Sequence, residues 1–265
     1  LVDNDLPAWQ RKANYKAVGK IAGAIVLSYS LKKIFEGMLD DNKLFVVENS
    51  VDDQYLLTNQ EIEEKLKKLE HLEVIHILWL SNFIRSKGYP FVLEMAKLER
   101  DLVNNGARRR FSFDFAGSFF EESEKEYFES YIKENELEEY ITYHGVVSGE
   151  KKKELLKKCY LFALPTRYPN EGQPISILEA MGNGMFIITT DHAGIPDIVK
   201  NGVNGIVMDK TGDAKAILNC LHLISNSALK KVLYSNRKIC EQNYVEEIYI
   251  NKMAQIFKVL SMRKI

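Results

Sequence analysis

Short apolar runs recur along this chain, separated by segments in which apolar residues return every three or four positions. The runs cover 24–28, 44–48, 74–80, 111–117, 141–145, 160–165, 186–190 and 205–208. Their length and their β-branched and aromatic content predict strands. Most are apolar throughout rather than alternating, which predicts strands buried on both faces. The segments between them predict helices. In 122–135, Tyr127, Phe128, Tyr131 and Ile132 share one face, and near the end Met253, Ile256, Phe257 and Leu260 fall at i, i+3, i+4 and i+7. Strands alternating with helices predict a parallel sheet covered on both sides, a doubly wound, Rossmann-like α/β fold.

The pattern also divides the chain. Segment 53–72 is polar and reads as a linker plus an exposed helix. Before it, 1–52 has room for about two strands, too few for a closed domain. After it, 73–245 holds a full α/β domain, and 246–265 a terminal helix. No Gly/Ser-rich or Pro-rich linker and no internal repeat occurs.

Composition changes this picture little. The chain has 265 residues, 46% hydrophobic and 28% charged, as expected of a globular protein. A formal net charge of -1 argues against nucleic acid as a partner. The three cysteines lack metal-type spacing; Cys159 and Cys220 lie in apolar runs and read as buried, Cys240 as half-exposed. No His-x-x-x-His pair occurs among the five histidines, so no metal is expected. A reducing cytoplasm fits this cysteine usage. No run reaches the ~18 apolar residues of a membrane span. The start has no signal-peptide layout and no methionine, and reads as the start of a piece of something longer.

In open α/β sheets, ligands bind beyond the carboxyl ends of the strands. Four places there carry candidate chemistry. After run 74–80, Arg85 and Lys87 precede Gly88 and a helix, which suits an anion but also a solvated turn. Run 111–117 ends in Gly117, where the backbone can approach a phosphate or simply turn. In "YHGVVSGE", a lone His144 reads as a satisfied structural histidine, and the backbone at Gly145, Val146 and Val147 can edge a flat base. The fourth is "TRYPNEGQPISILEAM". Pro174 suits a helix start, whose free amides face the strand ends. Glu171 lies before that start and Glu179 about one turn inside an otherwise apolar helix start, so Glu179 should meet a polar neighbour. A carboxylate only accepts hydrogen bonds, which suits a pair of ribose hydroxyls. The helix dipole alone also explains a carboxylate near a helix start. There is no G-x-G-x-x-G after the first strand of the full domain and no P-loop lysine, which disfavours dinucleotide oxidoreductases and NTPases.

"EGQPISILE" resembles the Glu-x7-Glu motif of retaining GT-B glycosyltransferases, specifically family 4. "NFIRSKG", "ITYHGVVSGEKKKELLKKCYLFALPT" and "EAMGNGMFIITTDHAGIPDIVKNGVNGIVM" agree in order and spacing, and the likeness spans 73–260. "DLPAWQRK", "AIVLSYSLKKIF" and "LFVVENSVD" resemble the end of that family's N-terminal, acceptor-side domain. The resemblance implies that 73–245 binds the nucleotide-diphosphate part of a UDP- or GDP-linked sugar, and that 246–265 packs back toward the N-terminal domain. Glu179 would hold the ribose hydroxyls, Glu171 the sugar near its transferring centre, and Lys87 the departing diphosphate. The Gly172, Gln173, Pro174 and Ile175 backbone would face diphosphate and sugar, and Val146 and Val147 the base. The family commonly has Gly-Arg ahead of the lysine; here Ser81 and Asn82 stand there. Arg85 or Arg167 then becomes the candidate replacement cation.

The expected activity is glycosyl transfer to a saccharide or lipid-linked acceptor, without a metal, in the cytoplasm or at the inner face of the membrane. A GT-B nucleotide-sugar epimerase and a non-catalytic nucleotide-sugar-binding subunit are the alternatives. A phosphorylase would need a pyridoxal-phosphate lysine site, and none is found. The apolar face of the last helix is a candidate dimer contact. The basic runs "ARRRF" and "EKKKELLKK" read as solvated, with a peripheral membrane contact as the other reading.

Overall fold

The computed structural model describes residues 7–209 and 211–262. All eight predicted strands form. They are β1 (Ala24–Val26), β2 (Leu44–Val46), β3 (Ile75–Leu80), β4 (Phe111–Ala116), β5 (Ile141–Tyr143), β6 (Leu161–Leu164), β7 (Phe186–Thr190) and β8 (Gly205–Met208). The helices are α1 (Ala8–Val18), α2 (Asn59–Leu69), α3 (Tyr89–Asn104), α4 (Glu122–Glu134), α5 (Gly149–Lys158), α6 (Ile175–Gly182), α7 (Ile195–Ile198), α8 (Ala214–Leu223), α9 (Asn226–Asn243) and α10 (Glu246–Met262). Strands β1 and β2 pair parallel as a separate two-stranded sheet. The other six form one parallel sheet in the order β5-β4-β3-β6-β7-β8.

Helices cover both faces of the large sheet, which explains why β6 and β7 lack polar alternation: every residue of both is buried. Trp79, Phe83, Tyr89, Phe115 and Phe128 pack ring against ring beside β3 and β4, with centroids 4.5 Å apart for Trp79–Phe83 and 5.2 Å for Phe115–Phe128. Such pairs add about 0.5–1.5 kcal/mol each beyond their burial.

Three expectations are corrected. The helix in 53–72 is not an exposed one: Thr58 and Glu61 form a capping box at the start of α2, and Ile62, Leu66 and Leu69 are buried. Lys65 on the same face donates 2.8 Å hydrogen bonds to the Leu156 and Asn183 carbonyls, and burial lowers its pKa to about 7. The cysteine assignment is reversed in two places, since Cys220 is exposed and Cys240 buried. On α8 the buried residues are Ala214, Leu218 and Leu221, which leaves position 220 on the outer side despite its apolar neighbours. The basic runs are not simply solvated. Arg109 stacks on Tyr140 and Arg110 donates to Asn226 at 3.3 Å, while Lys152 and Lys158 reach carboxylates in the interior.

On α10, Ile256 is buried, whereas Ile250, Phe257, Val259 and Met262 are exposed. Lys252 donates to Glu48 beyond β2 at 2.7 Å, tying this helix to the small sheet. Among the described residues no helix is long and apolar enough to cross a membrane.

Candidate functional site

The sheet order fixes where a ligand can enter. From β3 the chain winds outward through β4 to β5; from β6 it winds the other way through β7 to β8. Neighbours β3 and β6 therefore flank the reversal in strand order, the place at which open α/β sheets bind ligands beyond the carboxyl ends of their strands. Two of the predicted stretches, 80–90 and 165–175, leave from these two strands.

The two loops are locked together. Gly88 has φ 84°, and a Cβ there would lie 2.3 Å from the Pro165 carbonyl oxygen, so only glycine fits. Arg167 N donates to Ser86 O at 2.6 Å. The short 3-10 turn Arg85–Lys87 is thereby held against the 165–174 loop. Lys87 Nζ lies 2.7 Å from Glu171 Oε2, with side chains 16% and 9% exposed. Thr166 Oγ1 donates to the same carboxylate oxygen at 3.2 Å, and the Tyr168 ring lies 4.5 Å from the ammonium. Two residues 84 positions apart thus form one partly dry charge pair at the switch point.

Beyond Glu171 the loop is fixed from two sides. Gln173 is buried; its Oε1 accepts from Asn49 N at 2.7 Å and its carbonyl from Asn49 Nδ2 at 2.8 Å. The Gly172 carbonyl accepts from Gly194 N at 2.9 Å, ahead of α7. Pro174 then starts α6, where no side chain caps the first turn. Its leading amides are therefore open to an anion. Ile175 at that start is about half exposed.

One turn and more inside α6, Glu179 is only 4% exposed. It has the polar neighbour its position demanded: Lys152 Nζ of α5 lies 2.6 Å from Oε1. Burial raises the Glu179 pKa, the Lys152 hydrogen bond and charge oppose that, and Asp52 adds a smaller rise.

The β4 and β5 exits lie side by side. Gly117 N donates to Gly145 O at 2.9 Å, and the Tyr143 hydroxyl to Gly117 O at 2.9 Å. Val146 is 71% exposed, and Val147 packs against the core. Asn82 joins this group, its Oδ1 accepting from Ser118 Oγ at 3.0 Å. Gly117 has φ 143°, and a Cβ there would lie 1.7 Å from Ser81 O. Gly117→Ala is expected to cost about 2–3 kcal/mol of stability through strain and clash. An unchanged urea midpoint would contradict that.

The two arginines considered as replacement cations are engaged elsewhere. Arg85 stacks 4.0 Å from the Tyr127 ring with Nε 3.4 Å from Glu124, toward α4. Arg167 Nη1 lies 3.1 Å from Asp191, and Nη2 donates to the Asp209 carbonyl. Lys87 is the cation that reaches Glu171.

His144 is a satisfied structural histidine. Its Nε2 lies 2.6 Å from Asp114 Oδ1, His76 Nδ1 lies 2.7 Å from Oδ2, and Lys158 donates to Oδ1 at 2.8 Å. Asp114 itself is buried. Burial alone would raise its pKa, but hydrogen bonds from His144, His76 and Lys158 outweigh this and hold it well below the carboxylate range. A cleft of about 700 Å³ near the amino ends of β3 and β6 is lined by His76, Lys157 and Lys158. Lys157 there pairs with Glu61 and the other two with Asp114.

Sequence reasoning missed Asn49, Lys152 and Thr166. Only Lys152 left a signal: with Leu155, Leu156 and Cys159 it lies on one helical face, an inward position for a lysine.

Comparison with known proteins supplies the family. Residues 59–239 match the family model for glycosyl transferases group 1. A 41.2 kDa protein in the cps region of Klebsiella pneumoniae is 23% identical over 96% of this chain and 67% of its own length. The amylovoran biosynthesis glycosyltransferase AmsK of Erwinia amylovora is 26% identical over 49% of this chain, a match that spans 33% of that enzyme. Among solved structures, Anabaena HepE in complex with UDP superposes with a TM-score of 0.77 at 18% identity, over 98% of this chain and 70% of that one. Its complex with UDP-glucose gives 0.73 at 17% identity, over 94% and 66%. These likenesses show the fold, that of the GT-B glycosyltransferases. By its sequence match over 59–239 and by its fold, this chain belongs to the glycosyl transferases group 1 family.

Proposed function

We propose that this chain is the donor-binding part of a retaining, family 4 glycosyltransferase. It moves a sugar from a UDP- or GDP-linked donor to a saccharide or lipid-linked acceptor in surface polysaccharide synthesis, at the cytoplasmic side of the membrane. The observation that carries this reading is the Lys87–Glu171 pair, 2.7 Å apart at the switch point and beside the uncapped start of α6. The names of the relatives, which include an amylovoran biosynthesis enzyme, support the pathway class.

In this reading the diphosphate lies across the α6 start, where amides at Ile175 and beyond meet its oxygens. As the glycosidic bond breaks, negative charge grows on the bridging oxygen, and the Lys87 ammonium is placed to stabilise it. The protein's own cation does this work, so the reading needs no metal. Glu171 touches the sugar, Glu179 accepts from the ribose hydroxyls, and the backbone at Val146 and Val147 edges the base.

The acceptor side is proposed to lie mostly in the other domain. The isolated chain should therefore bind a nucleoside diphosphate weakly and transfer little sugar. Supplying the missing half should restore transfer, with the donor's anomeric configuration kept in the product, as read by proton NMR. Robust transfer by the 265 residues alone would contradict the division of labour. An inverted product would contradict the retaining mechanism.

A further inference from the structure

Lys152 has no place in the reading above, yet its setting is unusual. Helix α5 turns Leu155 and Leu156 inward, and Lys152 shares that face. Its ammonium lies 2.6 Å from Glu179 Oε1 and 4.1 Å from the centroid of the Tyr55 ring. The side chain is 16% exposed and that of Glu179 6%. Among the described residues, Lys152 is the side chain that hydrogen-bonds this carboxylate.

The two residues come from helices on different strands' exits, and Tyr55 comes from the segment ahead of α2. The ion pair therefore joins three parts of the chain at one buried carboxylate. A lone carboxylate in such a place would lose its hydration without compensation. A cation stacked on an aromatic ring compensates it and restricts its rotamer.

We propose that Lys152 is a positioning residue of the donor site: it pins Glu179 by one oxygen, keeps that carboxylate anionic, and leaves it ready to accept from the ribose of the nucleotide. This rests on the donor-site reading given above, in which Glu179 meets the ribose.

The charged groups facing Glu179 are Lys152 from α5, which favours the anion, and Asp52 from the segment before α2, which disfavours it. Burial also disfavours the anion. Removing Lys152 leaves only the two disfavouring influences, so Glu179 takes up a proton at higher pH than in the native protein. A protonated Glu179 loses its charge-assisted bonds to ribose hydroxyls. The loss should grow as pH falls, which a purely structural role of Lys152 would not produce.

The test is calorimetric titration of the intact chain with UDP and GDP, at several values from pH 8 to pH 6, for native protein, Lys152→Leu and Lys152→Arg. The ratio of Kd for Lys152→Leu to native should rise severalfold, by roughly threefold or more, as the pH falls across this range. Lys152→Arg should keep the ratio close to flat. The 2′,3′-dideoxy nucleoside diphosphate should show little dependence on residue 152 at any pH. Measurable binding with a ratio that stays flat for Lys152→Leu overturns the proposal and leaves the donor site standing. So does an equal loss with the dideoxy ligand. No binding of either nucleotide to the native chain overturns the donor-site reading, and this proposal with it. Circular dichroism on Lys152→Leu separates a folding failure; if it does not fold, the Lys152→Gln variant carries the same pH comparison.

Discussion

Replacing Lys87 or Glu171 with alanine is expected to lower kcat/KM for sugar transfer in the complete enzyme by about 10²–10³-fold, the usual cost of removing one preorganised charge-stabilising group. The expectation follows from how the pair is built. Gly88 against Pro165 and Ser86 against Arg167 hold the two loops in one register, so the Lys87 ammonium is placed before any ligand arrives. Its partner at 2.7 Å also neutralises it, and in the proposed function an arriving diphosphate competes with Glu171 for that charge. The two variants should then differ in a diagnostic way. On the proposed role of Lys87, Lys87→Ala should weaken nucleoside-diphosphate binding as well as turnover. Glu171→Ala frees the lysine, so nucleotide binding should hold while transfer falls. Because each change also leaves the other group without its partner, Glu171→Gln serves as the shape-preserving control. Near-normal turnover in both alanine variants would remove these residues from the reaction.

The second large effect concerns stability. Asp114→Ala is expected to destabilise the fold by about 2–3 kcal/mol, as loss of a buried carboxylate that accepts from several partly exposed donors implies. That is a large share of the roughly 5–15 kcal/mol that holds a domain together. Asp114 sits mid-strand in β4 and gathers His76 of β3, His144 after β5 and Lys158 of α5 around one carboxylate. Its folded pKa is depressed below its unfolded value. A depressed carboxyl contributes stability that is present above the unfolded pKa and is lost as pH falls toward the folded one. Native protein should therefore lose stability in acid below about pH 4, the ordinary aspartate range. Asp114→Ala should lose much of that acid-dependent component. Urea unfolding at neutral and acid pH reads both. A variant as stable as native, or one with the same acid slope, would show that the cluster does not hold the fold.

Much of this was legible in the residues because it depends on local pattern. Strands that are buried on both faces must be largely apolar, so β6 and β7 showed themselves as unbroken runs, and the partly exposed β1, β2 and β5 as shorter ones. Pro174 marks the start of α6, and the lone His144 reads as structural, which the Asp114 cluster explains. Errors arose where a run was averaged over its helical phase. "EKKKELLKK" looked like a solvated face, yet a helix turns Lys152 inward while Lys151 stays out, and Cys220 is outside although its neighbours are apolar. What could not be read at all were pairings across long stretches. The β3–β6 adjacency, the lock between Gly88 and Pro165, and the Glu171 and Asp114 partnerships depend on strand order, which no local periodicity encodes.

The central claim is that the β3–β6 switch point binds a nucleoside diphosphate through the α6 start and Glu179. Calorimetric titration of UDP and GDP into the native chain and into Glu179→Ala tests it most directly. The expected result is one site per chain for at least one of the two nucleotides, with affinity reduced by about tenfold or more in Glu179→Ala, as loss of charge-assisted hydrogen bonds to ribose implies. Binding that is equally strong in a folded Glu179→Ala, or no binding of either nucleotide to the native chain, would contradict it.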